Sequence, residues 1–202
     1  MSDKFYVEDN TNKSRLPRSF FLTDGLTLAK ELLGKIMVHE TEDGPICAVI
    51  TETEAYMGAT DKGSHAYGNR RTDRTETMFH QGGTSYVYLI YGMYYCMNVV
   101  ANEVDIPEAV LIRKVEPVDE ESRQRMLARR KVKNEKNLSD GPGKLCIAMD
   151  ITKAQNDVDM VTSGEFYLTE GIKVNSKEIK CGKRINIDYA EEAADFLWRF
   201  YI

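Results

Sequence analysis

Two glutamates separated by one residue could do acid–base chemistry in this 202-residue chain. Glu52 and Glu54 follow the apolar run 47–50 and precede Tyr56. Because side chains alternate along a strand, we expect both carboxylates, the phenol and Ile50 to share one face. In a poorly hydrated site one carboxylate raises the proton affinity of the other, which favours a general base at neutral pH. A solvated face of an edge strand is the alternative.

Tyrosines crowd a second segment, residues 84–98, which reads TSYVYLIYGMYYCMN. The pattern predicts antiparallel strands Tyr86–Ile90 and Tyr94–Val100. Gly92 would supply the φ > 0 conformation of a tight turn, with Tyr91 at the exposed tip. A large ring at such a tip is a candidate wedge for a stack of bases. The alternative is a hairpin whose aromatic side chains cover a hydrophobic core.

The faces of this predicted hairpin also bear on recognition. Tyr86 and Tyr88 share one face of the first strand, and Asn98 shares one face of the returning strand with Cys96 and Tyr94. An amide close to the aromatic rings could read the edge of a base. The segment is therefore a candidate surface for stacking on flat rings.

Several long motifs in a fixed order identify a family. The chain resembles the 3-methyladenine DNA glycosylases of the alkyladenine DNA glycosylase family over roughly residues 17–201. The matching motifs are FF at 20–21, LLG at 32–34, ETEAYMG at 52–58, His65, YVYLIYGMYYCMN at 86–98, AVLIRKVEP at 109–117, GPGKLC at 141–146 and WRFY at 198–201. Two positions depart from the family pattern: Asn186 replaces a common glycine, and Leu197 replaces a common proline.

The resemblance implies roles for the residues around the acidic strand. Glu54 matches the carboxylate that activates the attacking water, and Glu52 is expected to support it. Arg113 matches the arginine beside the water and the DNA backbone. The family fold, mixed and compact, is expected here. A further expectation is a backbone contact to the catalytic water from the segment near Asn186.

The resemblance also implies how DNA is held. Tyr56, His65 and Tyr88 match residues that sandwich and hydrogen-bond the extruded base. The other implied contacts are Tyr91 filling the vacated place in the duplex, Met93 probing the minor groove, and Asn98 excluding guanine through its exocyclic amino group. The expected partner is damaged double-stranded DNA.

The implied reaction agrees with physical expectation. The bond between base and sugar cannot be reached inside a stacked helix, so the nucleotide must be flipped out. Glu54 would then need only to deprotonate and position a water, without metal or organic cofactor. No lysine stands among the matched active positions, so we expect a monofunctional enzyme that leaves an abasic site.

The run Gly141-Pro142-Gly143-Lys144 precedes the apolar residues 145–149. It predicts a loop that leads into a helix, whose amides and Lys144 could hold a DNA phosphate. A Pro/Gly turn that caps a helix is the alternative. The Walker A pattern is not met, because Leu138 and Leu145 occupy its required glycine and hydroxyl positions.

Charge gives a weaker signal for nucleic acid. The chain has 32 acidic and 27 basic side chains, a formal charge of −5 and a pI near 5.4, whereas most DNA-binding domains are basic. Cations nevertheless cluster at 70–74 and 123–136. These clusters could contact phosphates. The second could equally be a helix whose acidic start, 119–121, and basic end complement the helix dipole.

The remaining pattern predicts one compact α+β domain over residues 16–202 after a loose leader, 1–15. We expect a curved, mostly antiparallel sheet with surrounding helices and a protruding hairpin. Predicted elements besides the hairpin are a helix at 26–33, a basic helix after 119, and strands at 35–40, 46–56, 109–115, 166–168, 172–174 and 185–187. Four scattered cysteines and three histidines fit no metal pattern and suggest reduced, mostly buried thiols. A monomer in the bacterial cytosol, or in a eukaryotic nucleus, is expected.

Two other classes of protein share some of these features. A non-catalytic nucleic-acid-binding module would use the tyrosine hairpin as a stacking platform and release no base. A glycoside hydrolase would use Glu52 and Glu54 as a carboxylate pair. Carboxylates that point the same way from one strand do not flank a sugar, which disfavours that class.

Overall fold

A long central strand organises the fold. The computed structural model describes residues 14–132 and 137–202, and its central strand β2 spans Gly44–Tyr56. The other strands are β1 Ile36–Thr41, β3 Ser85–Ile90, β4 Tyr94–Ala101, β5 Glu108–Pro117, β6 Phe166–Thr169, β7 Lys180–Gly182 and β8 Arg199–Tyr201. They form one curled antiparallel sheet in the order β3-β4-β5-β2-β1-β6, and β8 joins β2 to β7.

Helices cover one face of this sheet. They are α1 Arg18–Phe21, α2 Gly25–Glu31, α3 Glu120–Arg130 and α4 Pro142–Ala148. Asp24 caps α2 by accepting the backbone N–H groups of Leu26 and Thr27, which would otherwise lack partners. Buried side chains of α2, α3 and α4 join those of β2, β4 and β5 in the main core. The predicted α+β architecture is therefore confirmed.

None of the helices in 14–132 and 137–202 is long and apolar enough to cross a bilayer.

Two predicted strands are wrong. Residues 172–174 are irregular, and the N–H of Ile172 donates to Gly34 outside any ladder. Residues 185–187 are also irregular. Asn186 has φ 61°, a left-handed conformation that interrupts a strand and that asparagine tolerates better than most residues. The N–H of Ile185 consequently turns toward a side chain of β2.

The predicted leader 1–15 falls largely outside the described residues, which begin at Ser14. The carbonyl of Ser14 accepts a hydrogen bond from the N–H of Glu170 at 2.9 Å. Arg15 forms an isolated bridge with Thr169, and its guanidinium lies 3.8 Å from the ring centre of Tyr167. These two residues are thus joined to β6.

Paired bulges change which side chains of β2 face the core. Ile50 pairs with Val115 and Glu52 with Lys114, so Thr51 is an extra residue on β2. The next pair joins residues 53 and 112, so Arg113 is an extra residue on β5. The prediction that Ile50 shares a face with the glutamates is wrong, because these bulges reset the alternation. Ile50 lies in the main core, on the other side of the sheet from the carboxylates.

The predicted tyrosine hairpin is confirmed, with β3 and β4 paired from Ser85–Val99 to Ile90–Tyr94. Tyr91 and Gly92 both have positive φ, 53° and 67°. The tip side chains are open to solvent: Tyr91 is 73% exposed and Met93 68%. The hairpin is joined to the rest of the sheet through β4, which pairs with β5, and its tip is exposed.

Candidate active site

One row of side chains crosses four neighbouring strands. Tyr86 of β3 pairs with Asn98 of β4. Asn98 in turn pairs with Leu111 of β5, and Leu111 with Glu54 of β2. Neighbouring strands lie about 4.8 Å apart, so this register brings an amide and a carboxylate from distant parts of the sequence to within roughly 10 Å. The Nδ2 of Asn98 donates to the carbonyl of Tyr86 at 3.0 Å, which fixes the amide.

Glu54 is fully buried and has three polar partners. The N–H of Ile185 donates to Oε1 at 2.8 Å, and the hydroxyl of Tyr56 donates to Oε2 at 2.9 Å. The Nη1 of Arg113 lies 3.3 Å from Oε1. Burial raises the pKa of the Glu54 carboxyl above its ordinary value, although these three partners oppose the rise. Such a carboxylate keeps spare lone pairs and can take a proton from water.

Arg113, the extra residue of β5, reaches both glutamates. Its Nε donates to Oε1 of Glu52 at 3.1 Å. Arg199 of β8 donates to the same oxygen from Nη1 at 3.0 Å. Glu52 is held between two arginines in this way, and it orients the guanidinium of Arg113 toward Glu54.

Aromatic rings form the walls of a pocket beside this network. The rings of His65 and Tyr88 are 4.6 Å apart at 73°. The Nδ1 of His65 is hydrogen-bonded to the hydroxyl of Tyr86 at 3.0 Å. Burial lowers the pKa of His65 to about 4, and Arg74 and Arg70 add to this effect. The imidazole is therefore neutral at pH 7.

A cavity of about 40 Å³ lies among these rings, lined also by Asn98 and Tyr189. An adjoining groove of about 360 Å³ is lined by Tyr91, Arg113 and Tyr189 among others. The cavity holds only a few water molecules. Tyr189 is 68% exposed, and its hydroxyl donates to the carbonyl of Gly63 at 3.4 Å.

Sequence comparisons place this geometry among known proteins. The profile of the family described as Methylpurine-DNA glycosylase (MPG) matches residues 19–202. The chain belongs to the methylpurine-DNA glycosylase family. A protein of Clostridium acetobutylicum is 51% identical over 194 residues, which cover 93% of this chain and 94% of the relative. Proteins of Clostridioides difficile and Natranaerobius thermophilus are each 48% identical, cover 93% of this chain, and are themselves covered over 100% and 95% of their lengths. All three carry the name "Putative 3-methyladenine DNA glycosylase".

Membership of the methylpurine-DNA glycosylase family confirms the resemblance. The predicted site residues lie in three places. Six of them lie around the pocket and the buried carboxylate: Glu54, Tyr56, His65, Tyr88, Asn98 and Arg113. Tyr91 and Met93 lie at the hairpin tip. Lys144 lies in the first turn of α4, because the helix begins at Pro142 and not after the predicted loop. Its Nζ pairs with Asp140 at 2.9 Å.

Sequence reasoning missed several residues of the site. Arg184 and Asp61 form a buried ion pair, and Arg184 lies over the ring of Tyr56. Arg199 donates to Glu52, and Tyr189 lines the pocket. These contacts join segments more than 120 residues apart, or depend on the conformation of an irregular segment. No local pattern could have indicated them.

The predicted basic segment 123–136 is occupied by contacts within the protein, as far as it is described. Arg125 donates to carbonyls of the 43–45 turn at 2.8 and 3.0 Å. Arg129 pairs with a carboxylate of the same turn at 3.2 Å. Residues 133–136 lie outside the described part. The charge order of α3, acidic at its start and basic at its end, favours the dipole interpretation.

The cysteines match their predicted state in most respects. Cys47, Cys96 and Cys146 are buried and Cys181 is exposed, and all four are free thiols. Within 14–132 and 137–202, no three His, Cys, Asp or Glu side chains are grouped as a metal site would require.

Proposed function

We propose that this protein is a monofunctional DNA glycosylase of base excision repair. It flips an alkylated or deaminated purine out of duplex DNA, hydrolyses the N-glycosidic bond and leaves an abasic site. The observation that carries the proposal is the buried carboxylate of Glu54 beside an aromatic pocket, in a groove that extends to the exposed ring of Tyr91. An enzyme that acts on a base must take it out of the stack, and both features serve that need.

Extrusion depends on the hairpin tip. Tyr91 enters the duplex and fills the vacated place, while Met93 beside it contacts the minor groove. Extrusion costs a few kcal/mol, and less for a lesion that pairs weakly. Stacking on aromatic side chains returns about 1–3 kcal/mol per base. Selection of damaged purines therefore begins before the chemical step.

The pocket selects among extruded purines. Tyr56, His65 and Tyr88 sandwich and hydrogen-bond the base. Because His65 is neutral, it does not repel a base that carries the positive charge of alkylation. The fixed amide of Asn98 meets the exocyclic amino group of guanine and so excludes it.

The chemical step uses the polar network around Glu54. The carboxylate deprotonates and positions a water against the sugar carbon as the purine departs, and Arg113 helps to hold that water. The negative charge also favours the cationic sugar that develops. In the described ranges, the polar partners of Glu54 include no lysine, so a Schiff base with the sugar has no nucleophile there. Neither metal nor organic cofactor takes part in this route.

The first experiment measures release of free base under single turnover. The substrates are duplexes with one hypoxanthine or one ethenoadenine, and methylated DNA, each followed by alkaline cleavage at the abasic site. We expect wild type to release base and to cut the strand only after alkali. Glu54→Gln should release none, because its amide cannot take the proton, while it still binds a lesion-bearing duplex. Glu52→Gln is the matched variant and should keep part of the activity.

The same experiment distinguishes the alternatives. Full loss in Glu52→Gln with activity in Glu54→Gln would reverse the assignment of the base. Strand cutting without alkali would contradict the monofunctional route. Tight lesion binding by wild type with no release from any substrate would make the protein a binding module of the same fold.

A further inference from the structure

A fully buried ion pair lies next to Tyr56, one of the residues that line the pocket. Arg184 and Asp61 both have side chains with no exposed surface. Two hydrogen bonds join them, from Nη1 to Oδ2 at 2.5 Å and from Nη2 to Oδ1 at 2.8 Å. The guanidinium also donates to the carbonyls of Ala55 and Ala193. Its Nε has no hydrogen-bond partner.

Stability alone explains such a pair poorly. Taking two charges out of water costs several kcal/mol per ion, and apolar residues of similar volume are often as stabilising or more so. The unpartnered Nε adds to the cost of burial. An apolar pair could not supply directed hydrogen bonds. The native pair makes six: four are donated by the guanidinium, and Asp61 accepts two more from backbone N–H groups.

Those contacts converge on the residues of the proposed reaction. The guanidinium of Arg184 lies over the ring of Tyr56, 4.8 Å from its centre, and Tyr56 lines the pocket. The residue after it, Ile185, supplies the N–H that holds Glu54. Asp61 accepts the N–H groups of Met57 at 3.1 Å and of Gly63 at 2.9 Å, in the loop that leads to the pocket histidine.

We infer that Arg184 and Asp61 are a positioning pair, which holds the ring of Tyr56, the carboxylate of Glu54 and the loop 57–65 in register for base release. This inference rests on the proposed function. The positive charge of Arg184 also lowers the pKa of Glu54 and so offsets part of the rise caused by burial. The pair should therefore affect both the rate of base release and its pH dependence.

The test compares loss of the buried ion pair with loss of an exposed ion pair nearby in the chain. The double variant Arg184→Met/Asp61→Asn removes both buried charges with little change of volume. The control Lys183→Met/Asp195→Asn breaks a solvent-exposed ion pair that involves the residue before Arg184, with Nζ and Oδ1 2.5 Å apart in the native protein. Single-turnover base release is measured from pH 5 to 9, with lesion binding and thermal unfolding measured on the same samples.

We expect the double variant to bind the lesion but to release base about 10² times more slowly, since a displacement of 1 Å can cost that factor. Its acidic limb should move to higher pH, because Glu54 loses a nearby cation. Arg184→Lys keeps the charge and loses the planar fork, so its rate should fall while its acidic limb stays in place. The control should keep the wild-type rate and profile.

Three results would overturn the inference. In the double variant, the wild-type rate and pH profile would show that the pair is structural only. If that variant does not fold, a wild-type rate in Arg184→Lys would show the same. In both cases base release by wild type would leave the proposed function standing, whereas no release by wild type would remove the proposed function and this inference together.

Discussion

Glu54 places a carboxylate where no part of it touches solvent, and stability alone would not select that position. Burial raises its pKa, so the folded protein binds a proton there more tightly than the unfolded chain does. Three donors oppose the effect without cancelling it. A group that must take a proton from water gains from such an environment, since its basicity rises as its hydration falls.

A pH-dependent gain in stability should follow from removal of this carboxyl. Because the pKa of Glu54 is raised in the folded state, this carboxyl contributes to the free energy of unfolding. The contribution is fully present below about pH 4.5 and is lost as pH rises through the folded-state pKa. Glu54→Gln does not titrate and escapes that loss. We expect its melting temperature relative to wild type to increase from pH 4.5 upward and then to level off.

The measurement is thermal unfolding of both proteins between pH 4.5 and 8. Glu165→Gln, at an exposed position, is the control and should show no such trend. A difference between Glu54→Gln and wild type that stays constant across the range would contradict the expectation.

At the level of elements, α4 supports the tyrosine hairpin next to its tip through a close approach of backbone to side chain. A Cβ added to Gly143 would lie 2.9 Å from the Cβ and 3.1 Å from the Cγ of Tyr94. Tyr94 begins β4 immediately after the tip. Glycine at this position therefore sets how closely the helix and the hairpin pack, and with that the direction of Tyr91, the proposed wedge.

We expect Gly143→Ala to lower the affinity for a lesion-bearing duplex by about tenfold and to destabilise the fold by about 1–3 kcal/mol, as overpacking does. Fluorescence anisotropy and chemical unfolding measure the two effects. Gly164→Ala is the matched control, because nothing lies within 4 Å of an added Cβ there. Unchanged affinity in Gly143→Ala would mean that the packing of helix against hairpin does not orient the wedge.

The elements also separate what sequence could predict from what it could not. Alternation correctly predicted the hairpin and the face shared by Glu54 and Tyr56, because both depend on local periodicity. It failed at Ile50, where a bulge adds a residue without any local signal. It also failed at 185–187, where apolar residues suggested a strand but Asn186 turns the chain. The pair of Arg184 and Asp61 spans 123 residues and exists only through tertiary packing.

For the whole molecule, the basic clusters differ in how far they are from the pocket. Arg125 and Arg129 of α3 contact the turn at 43–45, at the opposite end of β2 from Glu54. Nine residue steps of strand lead from Pro45 to Glu54, which is roughly 30 Å. Arg70 and Arg74, in contrast, are exposed and close enough to the pocket to lower the pKa of its histidine.

We expect weak dependence of DNA affinity on salt, with a slope of log K against log[salt] near −3, as about three phosphate contacts give. The double variant Arg70→Ala/Arg74→Ala should reduce that slope by about two. Arg125→Gln/Arg129→Gln should lower stability and leave the slope unchanged. Titrations from 50 to about 300 mM salt provide the measurement, and an equal loss of slope in both variants would contradict this assignment of the phosphate contacts.

The matched bulges at Thr51 and Arg113 divide β2 into two parts with opposite alternation of side chains between the two faces of the sheet. On one side of them, odd-numbered residues of β2 face away from the main core, and on the other side even-numbered residues do. Deletion of one residue from β2 at this point would move the following side chains to the opposite face and direct Glu54 toward the apolar interior. Loss of the opposite residue from β5 as well would restore the pairing but remove the guanidinium. Insertions and deletions here can therefore be tolerated in structure only as pairs, and a transfer of the acidic strand to another sheet would have to carry both bulges with it.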